Sequence, residues 1–206
     1  MRLAPVVLFA GEDTGLAGRL ASLQSRTTHA APEAVDACVL LAALLHEAIH
    51  SPRGDLFRLR PFKGAPAVSE LAAGSWRGKT RSAIRSSGYV MHTLEAAIWC
   101  VHKTSNFEEA LVFAANLGQD ADTVGAVTGQ LAGAIYGLRG IPKKWLEPLA
   151  LRRDLEQMAK MLISRPSGTD KKVGALGGGE REAGLSESWL QEVRAGLFKA
   201  IPRLLI

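Results

Sequence analysis

The chain is poor in cysteine, in aromatic residues and in long apolar runs. Two cysteines in 206 residues are too few for a disulfide framework. Cys38 and Cys100 lie in apolar helical surroundings and read as buried, reduced thiols. Aromatics make up 6 % of the chain, and no Lys/Arg run is interleaved with them. No zinc-finger or RNP-type signature appears, so nucleic acid is not the expected partner. The longest apolar runs carry His, Glu or Gly and are too short to span a bilayer. The N-terminus lacks the basic-then-apolar layout of a secretory signal. These absences together predict a soluble, cytoplasmic protein with no membrane partner. Period-two alternation never lasts long enough for a strand, and there is no internal repeat.

What the chain does have is apolar residues in helical rhythm. Apolar types make up 47 % and charged types 22 %, enough for one domain with a substantial core, followed by a tail. The net charge of +5 suits an anionic ligand such as a diphosphate. Apolar periodicity and end signals predict helices over 14–24, 32–50 (Pro32 in its first turn), 66–74, 90–103 and 107–116 (Asn106 as its cap). Another helix follows Thr123, and a last amphipathic one covers 148–163. Residues 51–65, rich in Pro, Gly and Arg, read as a loop. The expected fold class is all-α, an orthogonal helical bundle. The domain is expected over 1–163, with a Gly/Ser-rich linker over 164–186 and a C-terminal helix or tail over 187–206.

Two motifs carry chemistry. The first runs from Asn116 to Gly137. It sets Asp120, Asp122 and Thr123 at positions i, i+2 and i+3 of a helix start, with Gly125, Gly129, Gly133 and Gly137 following every fourth residue. Oxygen ligands packed this tightly suit a hard divalent cation; the same residues also make ordinary helix caps and dipole partners. Interior glycines cost a helix about 1 kcal/mol each relative to alanine, so the stripe predicts close approach of a helix or a ligand. The second motif is His46-Glu47-Ala48-Ile49-His50, which fits H-E-x-x-H. On a helix, His46 and His50 would share a face and could bind zinc, with Glu47 as base and Glu70 as a further ligand. Its alternative is a surface helix end, where histidine favours the dipole.

The first motif resembles the C-terminal signature of the ADP-ribosylglycohydrolase family, that of dinitrogenase reductase-activating glycohydrolase: Gly-x-Asp-x-Asp-Thr, then a Gly/Ala-rich helix ending Tyr-Gly. Three further blocks agree in order. Met1 to Val6 is similar to an "MR-x-x-P" segment. Ser25 to His29, with Pro32 to Cys38 behind it, is similar to an "S-x-x-TH" loop and its following helix. Ser87 to Val90 with His92 to Trp99 is similar to "GYV-x-x-TLEAA-x-W". The resemblance covers roughly residues 1–163.

The resemblance implies hydrolysis of the bond joining ADP-ribose to a modified protein side chain or a related compound, with two Mg²⁺ (or Mn²⁺) ions. Asp120, Asp122 and Thr123 would be metal ligands, Asp120 and Asp122 also the catalytic carboxylates, both ionised beside the cation. His29 would contact substrate, although a lone histidine is as often a core or capping residue. Tyr89 would stack on ribose or adenine, its alternative being a core aromatic at a turn. Gly88, Gly118 and Gly125 would leave room for the phosphates. In the family the segment matching the H-E-x-x-H helix lies away from the active site.

One departure qualifies this reading. Family members carry a Thr-Asp-Asp motif in an N-terminal section that supplies the other metal ligands, and none occurs in this chain. The expectation is a bundle missing its N-terminal helices, through a split or truncated gene or a misassigned start, with at most a partial metal site and impaired activity. Removing helices would expose an apolar face, so a homo-oligomer, a complex with the missing half or low solubility is expected. An inert ADP-ribose-binding or partner-binding pseudoenzyme is the alternative; a zinc peptidase is the remote one.

Overall fold

Three prolines open helices in this protein because a helix's first turn needs no N–H from them. Pro5 sits in the first turn of α1 (Ala4–Ala10), Pro32 in that of α3 (Pro32–His50) and Pro66 in that of α4 (Pro66–Ala72). Side-chain caps open two more. Asp13 accepts from the Leu16 N–H at 2.7 Å ahead of α2 (Thr14–Arg26), and Asn106 accepts from the Glu109 N–H at 2.9 Å ahead of α6 (Phe107–Ala115). The remaining elements are a 3₁₀ turn (Arg81–Ala83), α5 (Val90–Lys103), α7 (Ala121–Gly140), α8 (Lys143–Leu146) and α9 (Arg152–Ile163). The structure is a computed structural model and describes residues 1–51 and 55–164. Among them there is no strand, and the fold is all-α as expected. No helix among them is long and apolar enough to cross a membrane.

The chain divides into two units, Met1–Ala150 and Leu151–Ile206. In the first, α3, α5 and α7 all pack on one another, α2 lies on α3, and α6 on α7. Leu40, Leu41, Leu44 and Leu45 of α3 meet Leu94, Ile98 and Val101 of α5 and Val124, Val127 and Leu131 of α7 in a single buried cluster. Burial of this kind is worth about 1.5–3 kcal/mol per large side chain. The Trp99 indole stacks on Phe113 at 5.0 Å and donates to the Lys79 carbonyl at 3.0 Å, so its one polar atom is satisfied. In the second unit, α9 has no buried residue. The expected linker beyond Ser164 and the C-terminal helix or tail over 187–206 lie outside the described residues.

Several expectations need correction. Helix α1 was not foreseen: its Pro-Val-Val-Leu-Phe-Ala run has no polar period, and its place is fixed by burial of Leu3 and Val7 and by the Gln130 side chain, which accepts from the Ala4 N–H at 2.8 Å. Helix α9 begins at Arg152 rather than 148, after Leu151 takes left-handed backbone at φ 58°. The glycine stripe does not act as one surface. Gly129 and Gly133 meet Leu111 and Phe107 of α6 at ordinary contact distance, Gly125 faces open space, and Gly137 (φ 66°) kinks the helix. Cys100 is buried, which pushes its thiol up to about 12, but Cys38 is only half-buried.

Candidate functional site

The turn between α6 and α7 places the acidic motif. Gly118 and Gln119 both adopt positive φ, 81° and 51°. Glycine takes this region freely, whereas a side chain there is strained by about 1–2 kcal/mol. Two hydrogen bonds pin the turn to the loop before α5: the Asp120 N–H donates to the Ser86 carbonyl at 3.0 Å, and the Ser86 hydroxyl donates to the Gly118 carbonyl at 3.1 Å. Helix α7 therefore starts beside the N-terminus of α5.

Asp120 stands at the N-cap position of α7 but makes no side-chain cap bond. Its carboxyl lies against Gly88 instead. A Cβ on residue 88 would come within 2.8 Å of Asp120 Oδ2, so any larger residue there must displace the carboxylate. The Asp120 carboxyl also hydrogen-bonds that of Asp122. This contact, with the backbone N–H groups of Thr123 and Asp122 itself, holds the Asp122 carboxyl below the usual carboxylate range. Two carboxyl groups in contact repel when both are ionised, which a cation between them relieves. Together with a hydroxyl at Thr123 they are oxygen donors of the kind a hard divalent cation takes, and Mg²⁺ keeps several waters and often takes only one or two carboxylates. Among the described residues no group of three or more His, Cys, Asp or Glu is placed to hold a metal ion.

These residues border a cleft of about 570 Å³, lined by the Ser25–His29 turn and the facing ends of α3, α5 and α7. It gathers His29, Gly88, Tyr89, Asp120 and Thr123 on one wall system; Asp122, Gly118 and Gly125 are not on it. Gly118 serves the turn. His29 is exposed, not a core residue, with Nδ1 3.0 Å from the Thr28 hydroxyl, which also accepts from the Arg2 guanidinium at 3.2 Å. Tyr89 is 45 % exposed, so it is no core aromatic either. Its ring meets His92 edge-on at 5.0 Å, and its hydroxyl donates to Glu33 Oε2. That bond and the negative charge of Glu33 raise the Tyr89 hydroxyl above its ordinary value, so it stays protonated at neutral pH. The His92 ring is held in turn by Ser87, whose Oγ lies 2.7 Å from Nδ1.

Arg2, Glu33 and the Ser87–His92 pair were not singled out from sequence. Glu33 follows Pro32 in the first turn of α3, where an acid is an ordinary dipole partner, so nothing local distinguished it. The H-E-x-x-H motif, by contrast, is spoken for. The Glu47 carboxylate is ion-paired with Arg58 and, at 2.9 Å, with Arg60. His46 is buried with the Thr14 hydroxyl 3.4 Å from Nδ1, and its ring lies 4.5 Å from that of His50. A carboxylate neutralised by two guanidinium groups cannot act as the base of a zinc peptidase.

Comparison with known proteins gives the family. The sequence model of the ADP-ribosylglycohydrolase family matches residues 1–172. ADP-ribosylarginine hydrolase Tri1 of Pseudomonas putida (strain GB-1) is 40 % identical over 174 residues, 83 % of this chain and 46 % of that protein. The Tri1 protein of Serratia proteamaculans (strain 568) is 41 % identical over 164 residues, 79 % of this chain and 45 % of its own length. ADP-ribosyl-[dinitrogen reductase] glycohydrolase of Rhodospirillum rubrum is 30 % identical over 143 residues, 68 % and 47 % of the two chains. A solved chain described as an ADP-ribosylglycohydrolase-related protein complex superimposes with a TM-score of 0.66 at 41 % identity, over 77 % of this chain and 58 % of that one. The chain spans about half the length of the curated relatives it matches.

Proposed function

The chain belongs to the ADP-ribosylglycohydrolase family, and from that premise we propose that it takes part in Mg²⁺-dependent hydrolysis of ADP-ribose from a modified arginine side chain. The observation that carries this is the Asp120 carboxyl set against Gly88, with Asp122 in contact and Thr123 beside it, at a cleft that Tyr89 and His29 also line. The cleft is large enough for a drug-sized ligand. In the reaction a water oxygen bonds to the anomeric carbon of the ribose and the glycosidic C–N bond breaks. The bonding pair leaves with nitrogen, which takes up a proton as the guanidine departs.

Asp120, Asp122 and Thr123 would hold the cation, which when bound orients the ribose hydroxyls and water and lowers the cost of developing charge. Arg2 supplies a guanidinium for the diphosphate. Tyr89, kept protonated by Glu33, offers a ring face for ribose or adenine. His29, exposed at the cleft, offers a donor to the same ligand.

A second reading rests on the donor set, which suits one cation where the resemblance implies two. It is a module that binds ADP-ribose without cleaving it. Release of ADP-ribose from ADP-ribosyl-arginine, measured with Mg²⁺ and with EDTA beside the Asp120→Ala variant, separates the two. Turnover in Mg²⁺ that falls at least about 100-fold in the variant supports the hydrolase. Binding without turnover favours the module, and neither binding nor turnover sinks both.

A further inference from the structure

The cleft has two acidic residues on its wall, Asp120 and Glu33, and they are held differently. Asp120 is engaged with Asp122 at the proposed cation site. Glu33 makes no ion pair with any described residue; its partner is the Tyr89 hydroxyl, which occupies a single acceptor position on Oε2. An ionised carboxylate has about four acceptor positions, so most of its capacity is open. The one guanidinium on the wall, Arg2, donates to the Thr28 hydroxyl and not to Glu33. Half-buried and lining a cleft, Glu33 favours a ligand that brings a positive charge of its own.

We propose that Glu33 is a specificity-determining residue: its carboxylate receives the cationic guanidinium of the modified side chain, so the site prefers an arginine-linked ADP-ribose to a neutral linkage. The inference rests on the ADP-ribose reading of this cleft and deepens it. A guanidinium is planar and meets a carboxylate with two parallel N–H bonds. Tyr89 donates to the same carboxylate, which orients it. The positioning of Tyr89 is fixed in turn by Ser87 and His92. Ring face and carboxylate thus form one unit, the first for the sugar or base and the second for the cation attached to it.

The test is calorimetric binding of two probes in Mg²⁺ by the full chain and its Glu33→Gln variant. One probe is ADP-ribose. The other is an uncleavable analogue of ADP-ribosyl-arginine with a methylene in place of the glycosidic nitrogen, which keeps an amidinium charge. The expected result is a loss for the cationic probe about tenfold larger than any loss for ADP-ribose, whose only tie to Glu33 runs through Tyr89. An equal loss for both, or no loss for either, overturns the role of Glu33 and leaves the ADP-ribose reading standing. Wild-type protein that binds neither probe overturns both. Thermal melting of the variant separates a helix-dipole role from recognition: a role confined to the dipole lowers the melting temperature and leaves the ratio of the two affinities where it was.

Discussion

Two ends of helices in this protein carry motifs that spell metal chemistry, and the structure treats them in opposite ways. At the start of α7, Asp120, Asp122 and Thr123 have no basic partner among the described residues, and their carboxyl groups touch one another beside a cleft. At the end of α3, His46-Glu47-Ala48-Ile49-His50 has its carboxylate closed off by Arg58 and Arg60 and one histidine packed against Thr14. Both match a pattern of residue types at the right spacing. What separates them is whether the charge is already answered from within the fold. An ion-paired carboxylate gains little from a metal, whereas two facing carboxyl groups gain a great deal.

Crowding one end should break the comparison most sharply. Gly88→Ala puts a methyl within 2.8 Å of Asp120 Oδ2, so the carboxylate must move. Displacement of about 1 Å at a reacting centre costs up to about 100-fold. On the proposed hydrolase reading, the rate of ADP-ribose release should fall by about 10- to 100-fold with the melting temperature nearly unchanged, because residue 88 lies at a loop outside the buried cluster. A variant of full activity would show that Asp120 does not need its place against Gly88.

The other end should answer in stability alone. Glu47→Ala leaves the partly buried Arg60 guanidinium without its ion-pair partner, at a cost of about 1–3 kcal/mol. Urea unfolding should register that loss while ADP-ribose binding stays at the wild-type level. If binding fell with it, the two helix ends would be coupled and the division drawn between them would be wrong.

The long helices were legible because their apolar rhythm is strong. Val35, Leu41, Leu44, Leu45, Val124, Val127 and Leu131 fall where periodicity places them and are buried, whereas Leu23 and Leu138, on the same rhythm near their helix ends, are exposed. Helix α1 was not, because seven residues with no polar face give no period and its position depends on Gln130, distant in sequence. At the site, Asp120 and Thr123 were readable from spacing, and the resemblance brought in His29, Gly88 and Tyr89. Glu33 was not, since only the fold brings it to Tyr89, 56 residues away along the chain. The glycines misled most. Their regular spacing suggested one packing surface, but a glycine in a turn (Gly118), at a kink (Gly137) and against a neighbouring helix (Gly129) look identical in sequence. Gln119 shows the same limit from the other side: its φ of 51° is a position for glycine that the sequence fills with a longer side chain.

The smallest expected effect concerns which titrations belong to the framework and which to the cleft. His102 packs edge-on against Trp76 at 4.8 Å and Phe57 at 5.4 Å, with Arg77 and Lys103 as its cationic neighbours and Asp55 opposing them. Partial desolvation against these rings, although the residue is exposed overall, then the charges of Lys103 and Arg77, lower its imidazole below the ordinary 6.5. The folded protein thus binds this proton less readily than the unfolded chain does. Its contribution to stability is complete above about pH 6.5 and fades as the pH falls through the lowered folded value. Melting temperature followed from pH 7.5 down to pH 5 should decline, and His102→Gln should flatten the upper part of that decline. His102 is not among the residues lining the cleft, so the same substitution should leave the pH profile of ADP-ribose binding where it was. A binding profile that moved with His102 would mean that the framework and the cleft share their protons, and that the sorting of charged groups into those answered within the fold and those left for a ligand fails at this position.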